Sequence, residues 1–394
     1  MATENGCLSG RRGKKKLNYQ IFVTVWGSEY VDKFLQYSLT SQLLPKNLRE
    51  LSQYAEIVYR IYTDKESHSY FYPDILKLEK FAKIEFVFYE ELSFKGANLL
   101  EVIKNSDPTI VKHNVQRLTS KHHMDIASSL QDTAVILLDS DFIFSDGSFL
   151  HLHEVRKSGK KGYAAMFLRL HQEKAVGELD LKLPDFLSSR DLVKIALDCM
   201  HPITQSMLVG AKRPTAYPSQ INWSVGGKGI IGTTPFPHPL MLVMESAAPH
   251  FFSTMDYELI LKAISESEEI FYCTSSEDLM LCKMSPKTYG AEIPIISEQS
   301  VKTLANFILE NTNVRHSYFM KQPVKFFAKT SFAEFAEKEH LIRDYIEEVY
   351  FLVEKLLSEI GTGDVEKILK IKSYLGDIEE FLSPQTHSLI KKYL

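Results

Sequence analysis

The stretch TAVILLDSDFIFSDGS, Thr133 to Ser148, decides the fold class. Ala134 to Leu138 are all apolar, and four of the five are branched. A short apolar run bounded by turn residues is the pattern of a strand buried on both faces, as in parallel sheets. The run stops on Asp139 and Asp141. Residues i and i+2 of a strand share a side, so the two carboxylates are expected to point together from the strand's carboxyl end. In open α/β sheets that edge is where ligands bind. Two carboxylates this close raise each other's pKa, so a positive partner is needed. A divalent cation keeps both ionised, and oxygen ligands favour Mg²⁺ or Mn²⁺. The plainer reading is that both aspartates cap the Ser145–Asp146–Gly147 turn, where Asp is common. The apolar strand in front favours the metal-linked reading.

Working outward, YQIFVTVWGSE reads as a buried strand, Tyr19 to Val25, with a turn at Trp26–Gly27. Ser28 is read as the N-cap of a helix that runs to Leu44 and is stopped by Pro45. EIVYRIYTD is a second strand, ending at Thr63–Asp64, and AKIEFVFYEE a third. A polar helix from Thr109 to Leu130 leads into the aspartate strand. SDGSFLHLHEVRKSG restarts a helix, and KGYAAMFLRL is one more strand. Strands alternating with helices predict an α/β layer with a largely parallel sheet. From Gly177 to Ala248 the chain is rich in Pro and Gly, the mark of a functional loop-rich insertion. From Ser300 onward the pattern turns helical, with an amphipathic stretch ending at Gly361.

The chain has 394 residues, 44% hydrophobic and 24% charged, which is enough for a packed core. A net charge of −4 gives no pull toward nucleic acid. Cys7, Cys199, Cys273 and Cys282 lack paired or metal-type spacing and are read as reduced thiols, which points to a cytoplasmic protein. The basic cluster Arg11 to Lys16 is read as a solvated tail, with weak peripheral membrane contact as the minor alternative. No run is long enough for a membrane-spanning helix.

VILLDSD after several strand–helix units resembles the D-x-D element of nucleotide-sugar glycosyltransferases of the GT-A fold. IFVTVWGSEYVDKFLQYSLTSQLLPKNL is similar to the first strand and helix of the bacterial-type members, and so is the pairing of YRIYTD with DSDFIFSDGSF. The resemblance covers residues 19 to 280. It implies a Rossmann-like, mixed but mainly parallel sheet flanked by helices, with a helical C-terminal extension. It also implies that Thr24, Val25 and Trp26, then Thr63 and Asp64, cradle the base and ribose. Asp139 then lies near the ribose or the metal, and Asp141 ligates the metal directly. A Mn²⁺ or Mg²⁺ ion would bridge the diphosphate of the nucleoside-diphosphate sugar, with a UDP-sugar favoured. A cation held there stabilises a departing diphosphate. The resemblance further implies a histidine as third ligand. His238 is preferred over His250; His201 reads as a helix-end residue.

Other candidates come from the residues themselves. In SVGGKGIIGTT, Gly226, Gly227 and Gly229 would let the backbone approach a diphosphate with Lys228 as counter-charge, or the segment is a plain loop. Trp223 either stacks on a sugar or anchors that loop. Of Lys112, Arg117 and Lys121, Arg117 is taken as the one reaching the phosphates, though a solvated helix face explains most of them. A base for an inverting transfer needs a carboxylate near the acceptor hydroxyl. Asp256 and Glu258 are taken for that role, with Asp278 as an alternative.

The layout expected is a tail at 1–18, a transferase domain at 19–299 divided at 170/171 into nucleotide and acceptor halves, and a helical region at 300–394. The function expected is metal-dependent hexosyl transfer to a glycan, lipid-linked saccharide or protein acceptor. The C-terminal apolar stripe is read as core, with homo-oligomer formation as its other use. Two rivals remain. One is a haloacid-dehalogenase-type Mg²⁺ phosphohydrolase, which also places D-x-D after a strand but normally on the first one. The other is a non-catalytic sugar- or nucleotide-binding protein on the same fold.

Overall fold

The computed structural model describes residues 16–359, except 95, 246, 252–253 and 331. The basic tail up to Lys15, Gly361 and the rest of the C-terminal region lie outside the described residues. Seven strands form the central sheet. They are β1 (Leu17–Thr24), β2 (Ala55–Thr63), β3 (Lys83–Phe88), β4 (Thr133–Asp139), β5 (Gly162–Ala165), β6 (His238–Met244) and β7 (Ile270–Cys273). Their spatial order is β7-β5-β6-β4-β1-β2-β3. All neighbours run parallel except β6, which is antiparallel to both β4 and β5. The protein is therefore α/β with a mainly parallel sheet.

Period-two alternation sends each strand's side chains into two different cores. Phe22, Val135 and Leu137 face one, while Ile21, Val23, Ile136 and Leu138 face the other. Both faces are covered, so these strands read as continuous apolar runs. Each buried Leu, Ile or Phe contributes roughly 1.5–3 kcal/mol. The long helix α1 (Pro108–Ser128) covers the first face through Val111, Val115, Met124 and Ala127. Along the sheet the order β3-β2-β1-β4 reverses chain direction of growth between β1 and β4. A crevice opens at such a switch point, outside the carboxyl ends of the strands. Thr24 is in register with Asp139 there.

Three local readings change. The helix expected from Ser28 has Gly27, at φ 81°, as its N-cap and no side-chain cap; it continues through a wide π-type segment, Phe34–Leu39. KGYAAMFLRL is two strands, not one. Gly162–Ala165 stays in the central sheet, while Leu168–His171 joins a second, three-stranded sheet with Phe142–Phe144 and Leu281–Ser285. The aspartate strand breaks in the same way: β4 ends at Asp139, Ser140 and Asp141 form a turn, and Phe142 begins the second sheet. The two carboxylates therefore do not converge by strand alternation. A turn brings them together.

The loop-rich middle is more ordered than its composition suggests. It holds the amphipathic helix Ser189–Asp198, whose N-cap Ser188 accepts from Asp191 N, and the hairpin Ile221–Ser224/Gly229–Thr233. A strand from beyond residue 300, Val324–Phe327, pairs with Gly229–Gly232. Helix α2 (Phe332–Ser358) packs Phe335, Ile342 and Ile346 against Trp223 and Ile231. Residues on both sides of the 299/300 boundary thus share one sheet and one apolar cluster.

Candidate active site

The second sheet supplies what the aspartates face. Lys283 is in register with Phe142 on one side and with Arg169 on the other. Adjacent in-register residues place their side chains on the same face of a sheet. The Lys283 ammonium is bonded to Asp139 Oδ2 and lies 3.9 Å from Asp141 Oδ1. Its Nζ lies 5.5 and 5.7 Å from the ring centroids of Phe142 and Phe167, which meet each other at 5.7 Å. The other Asp139 oxygen accepts from the Gln116 amide of α1 at 2.5 Å. Met284 N donates to the Asp141 carbonyl at 3.0 Å, which fixes the turn to the second sheet.

Burial alone would raise the Asp139 carboxyl, but the Lys283 ammonium, helped by His238, holds it below the ordinary carboxylate range. Asp141 goes the other way: burial, with repulsion from Asp139, outweighs Lys283 and pushes it up. Burial works against the Lys283 ammonium, yet the two aspartates keep its pKa above that of ordinary lysine. The cluster is a carboxylate–ammonium–carboxylate set in which one cation serves two carboxylates.

Arg169 continues the positive side. Its guanidinium donates to Ser285 Oγ at 2.5 Å and stacks 4.1 Å from the Tyr289 ring centroid. Lys112 of α1 approaches the same ring at 5.8 Å. His113, next to it, is held below the ordinary histidine value by partial desolvation and by Lys112 and Lys283, against Asp139 and Asp256. Beyond Tyr289 lies a groove of about 850 Å³, walled by Met200, Ile203 and Ile293 with Lys212, Arg213 and Lys287 among its polar lining.

His238 is fully buried at the start of β6. Its Nδ1 meets Asp256 Oδ1 and its Nε2 meets the Leu137 carbonyl, each at 2.8 Å. Both nitrogens face acceptors, so neither has a lone pair to offer an ion. The expectation of His238 as third metal ligand is replaced by this bridge from β4 to Asp256. His250, the other choice, is exposed. Among the described residues, no group of three or more His, Cys, Asp or Glu side chains is arranged to hold a metal ion. With Asp139 spent on Gln116 and Lys283, the donor set does not fit a resident Mn²⁺ or Mg²⁺.

The remaining sequence candidates divide. Thr24 bonds Thr119 of α1 at 3.0 Å, Val25 N donates to the Tyr62 carbonyl, and Trp26 meets Tyr89 edge-on at 5.5 Å, so all three sit at the crevice mouth. The buried Thr63 hydroxyl has no hydrogen-bond partner among the described residues. Asp64 accepts from Ser67 N at 2.6 Å and shapes the following turn. Arg117 bonds Asn114 on its own helix. Glu258 pairs with Lys262 at 3.0 Å, a helical i,i+4 pair. Lys228 sits in the hairpin turn and is ion-paired to Glu334 of α2, away from the aspartates. Gly229 has a packing reason: at φ +153°, an added Cβ would lie 2.0 Å from the Phe326 carbonyl. Trp223 is buried against Tyr345 and anchors the hairpin. His201 caps the helix Pro202–Ser206.

Lys283, Arg169, Gln116 and Tyr289 were not foreseen. A usable signal existed for two of them. Lys283 in LMLCKMS and Arg169 in MFLRLH are single cations inside apolar strand-like runs. Such residues are buried only when something pairs with them.

No family model matches the chain, and no curated protein does. Among solved structures it is similar to mouse xyloside xylosyltransferase 1, at 13% identity over 42% of this chain and 59% of that one, TM-score 0.28. Core-mannan synthase A of Aspergillus fumigatus, in a Mn/GDP form, aligns at 12% identity over 46% of this chain and 54% of its own, TM-score 0.25. S. aureus TarS aligns at 8% identity over 77% of this chain and 42% of its own, TM-score 0.26. The chain thus spans little more than half the length of the first two. Similarity this slight leaves the functional reading to the site itself.

Proposed function

We propose that the chain is a glycosyltransferase of GT-A type that takes its sugar from a nucleoside-diphosphate sugar. The observation that carries this reading is the meeting of Asp139, Asp141, Lys283 and Arg169 at the β1/β4 switch point. A diphosphate is a compact dianion, and its departure concentrates charge where Lys283 and Arg169 stand. Trp26 and the unpartnered Thr63 hydroxyl lie at the ends of β1 and β2, suited to the base and ribose. The groove beyond Tyr289 is where the acceptor, a glycan or lipid-linked saccharide, would enter.

In the reaction an acceptor hydroxyl oxygen forms a bond to the anomeric carbon. The bond from that carbon to the diphosphate oxygen breaks, and its electron pair leaves with the nucleoside diphosphate. The hydroxyl proton goes to a carboxylate within reach. Asp256 is the better of the two sequence candidates, being about a third exposed and oriented by His238. Glu258, at 16% exposure and paired with Lys262, is less suited.

The phosphohydrolase alternative needs the first aspartate as nucleophile. Asp139 has one oxygen on Gln116 and the other on Lys283, which disfavours that role. The test is a melting-temperature panel with UDP-, GDP- and CMP-sugars, followed by mass detection of transfer to mixed glycan and lipid-linked acceptors. A ligand that binds only the folded state raises its melting point. We expect a UDP or GDP response that is reduced in Arg169→Ala at the same ligand concentration. No response to any nucleotide, or phosphatase turnover without a sugar nucleotide, would overturn the reading.

A further inference from the structure

We propose that the Lys283 ammonium is the built-in counter-cation of Asp139 and Asp141, occupying the position a divalent ion would take, so that the site binds a diphosphate without metal. This deepens the glycosyltransferase reading and rests on it for the identity of the ligand alone. The placement of the ammonium stands on geometry.

Four observations converge. Lys283 Nζ is bonded to one aspartate and 3.9 Å from the other, so one cation serves both. The second Asp139 oxygen accepts from Gln116, so each oxygen of that carboxylate already has a protein donor. His238, the histidine expected from the sequence to complete a coordination set, spends Nδ1 on Asp256 and Nε2 on Leu137. The ammonium itself is fixed rather than floating, because its strand is held in register between the Phe142 and Arg169 strands and its Nζ lies against the packed rings of Phe142 and Phe167.

The charges also balance. Two aspartates and Lys283 sum to one negative charge, and Arg169 brings the set to neutral. A bound Mn²⁺ would have to displace the ammonium on a sheet edge that already carries Arg169, placing four positive charges on three neighbouring cations. A diphosphate arriving at the neutral set instead meets Lys283 and Arg169 on one side, with the aspartates holding the lysine in place. Lysine acts here as a point charge and arginine as a planar fork, and both suit phosphate oxygens.

The experiment titrates Mn²⁺ into the full chain, reading the free-ion signal by electron paramagnetic resonance, with and without UDP or GDP. Wild type is compared with Lys283→Ala, Lys283→Arg and the double variant Lys283→Ala/Asp141→Asn. Wild type and Lys283→Arg are expected to leave Mn²⁺ free. Lys283→Ala uncovers two carboxylates and should gain roughly tenfold or more in Mn²⁺ affinity, abolished in the double variant. Circular dichroism checks that each variant folds; should Lys283→Ala not fold, wild type and Lys283→Arg still decide.

A stoichiometric Mn²⁺ in wild type that disappears in Asp141→Asn, alone or with nucleotide, overturns the proposal. So does a folded Lys283→Ala that gains no Mn²⁺. UDP or GDP binding to wild type that is undiminished by EDTA supports it. Failure of both nucleotides to bind counts against the glycosyltransferase reading, while the titration of the free chain still decides the role of Lys283.

Discussion

His238 and Asp256 are joined Nδ1 to Oδ1 at 2.8 Å, and the ring's far nitrogen meets the Leu137 carbonyl at the same distance. Carboxylate and carbonyl only accept, so both nitrogens donate and the ring is an imidazolium. Burial alone would lower its pKa; the hydrogen bond and charge of Asp256, with Asp139 behind, raise it above the ordinary histidine value. A raised folded pKa contributes stability that is fully present below the unfolded value and lost as pH rises through the folded one.

Stability should therefore fall as the pH is taken from mildly acidic through alkaline values, and Asp256→Asn should remove that slope. At neutral pH the variant should cost about 1–2 kcal/mol, since Asp256 is partly exposed and its loss leaves a buried donor with a weaker partner. Urea unfolding across the pH range measures both. A wild-type curve flat through alkaline pH contradicts the imidazolium.

Acid works through different histidines. His123 is fully buried, takes a hydrogen bond from Arg60 at Nδ1 and donates from Nε2 to Gln20 O, so it is neutral. Burial first, then Arg60, lowers its pKa to about 3; burial likewise lowers His316 to about 4. The unfolded chain takes up those protons first, so stability is lost as pH falls below the ordinary value of 6.5. For His123 the loss is on the order of 3–5 kcal/mol. His123→Gln should flatten the acid limb in the same unfolding series, at some cost near neutrality.

Arg169→Lys should not rescue nucleotide binding lost in Arg169→Ala. The guanidinium lies 4.1 Å from the Tyr289 centroid while it bonds Ser285, and an ammonium lacks the planar fork that holds this arrangement and leaves further donors for phosphate. Calorimetry with UDP and GDP should show both variants weakened by roughly tenfold, the size of one charged hydrogen bond. Full recovery in Arg169→Lys would mean that charge alone matters there.

The hairpin glycines separate packing from ligand contact. Gly229→Ala forces a Cβ against the Phe326 carbonyl and should destabilise by about 2 kcal/mol or more, seen as a lowered urea midpoint. Lys228→Ala breaks only an exposed pair with Glu334 and should leave nucleotide affinity within about twofold. A large affinity loss in Lys228→Ala would restore the phosphate-loop reading of that turn.

How much of this was legible in the sequence follows from range. The apolar runs at Tyr19–Val25 and Ala134–Leu138 reveal buried parallel strands because both faces must be apolar, a local property. α1 and the amphipathic α2 show their period for the same reason. Lys283 is different. Its meaning comes from register with Phe142 and Arg169, pairings that span over a hundred residues of chain. Period alone does not reveal which strand lies beside which. The Asp139–Asp141 turn was misassigned to a strand because Phe142–Phe144 prolongs the apolar run while changing sheets. The place of His238 before an apolar run pointed to a metal ligand, but whether an imidazole ligates or donates depends on its neighbours Asp256 and Leu137.

Strand Val324–Phe327 closes a sheet whose other two members emerge from the ribosome long before it. Until that segment arrives, Gly229–Gly232 presents bare amides and carbonyls, and Trp223 and Ile231 are uncovered. A nascent chain stalled or cleaved ahead of residue 324 would thus expose an adhesive ribbon suited to mispairing with another copy. Synthesis of this protein carries a window of vulnerability that stays open until Val324–Phe327 docks.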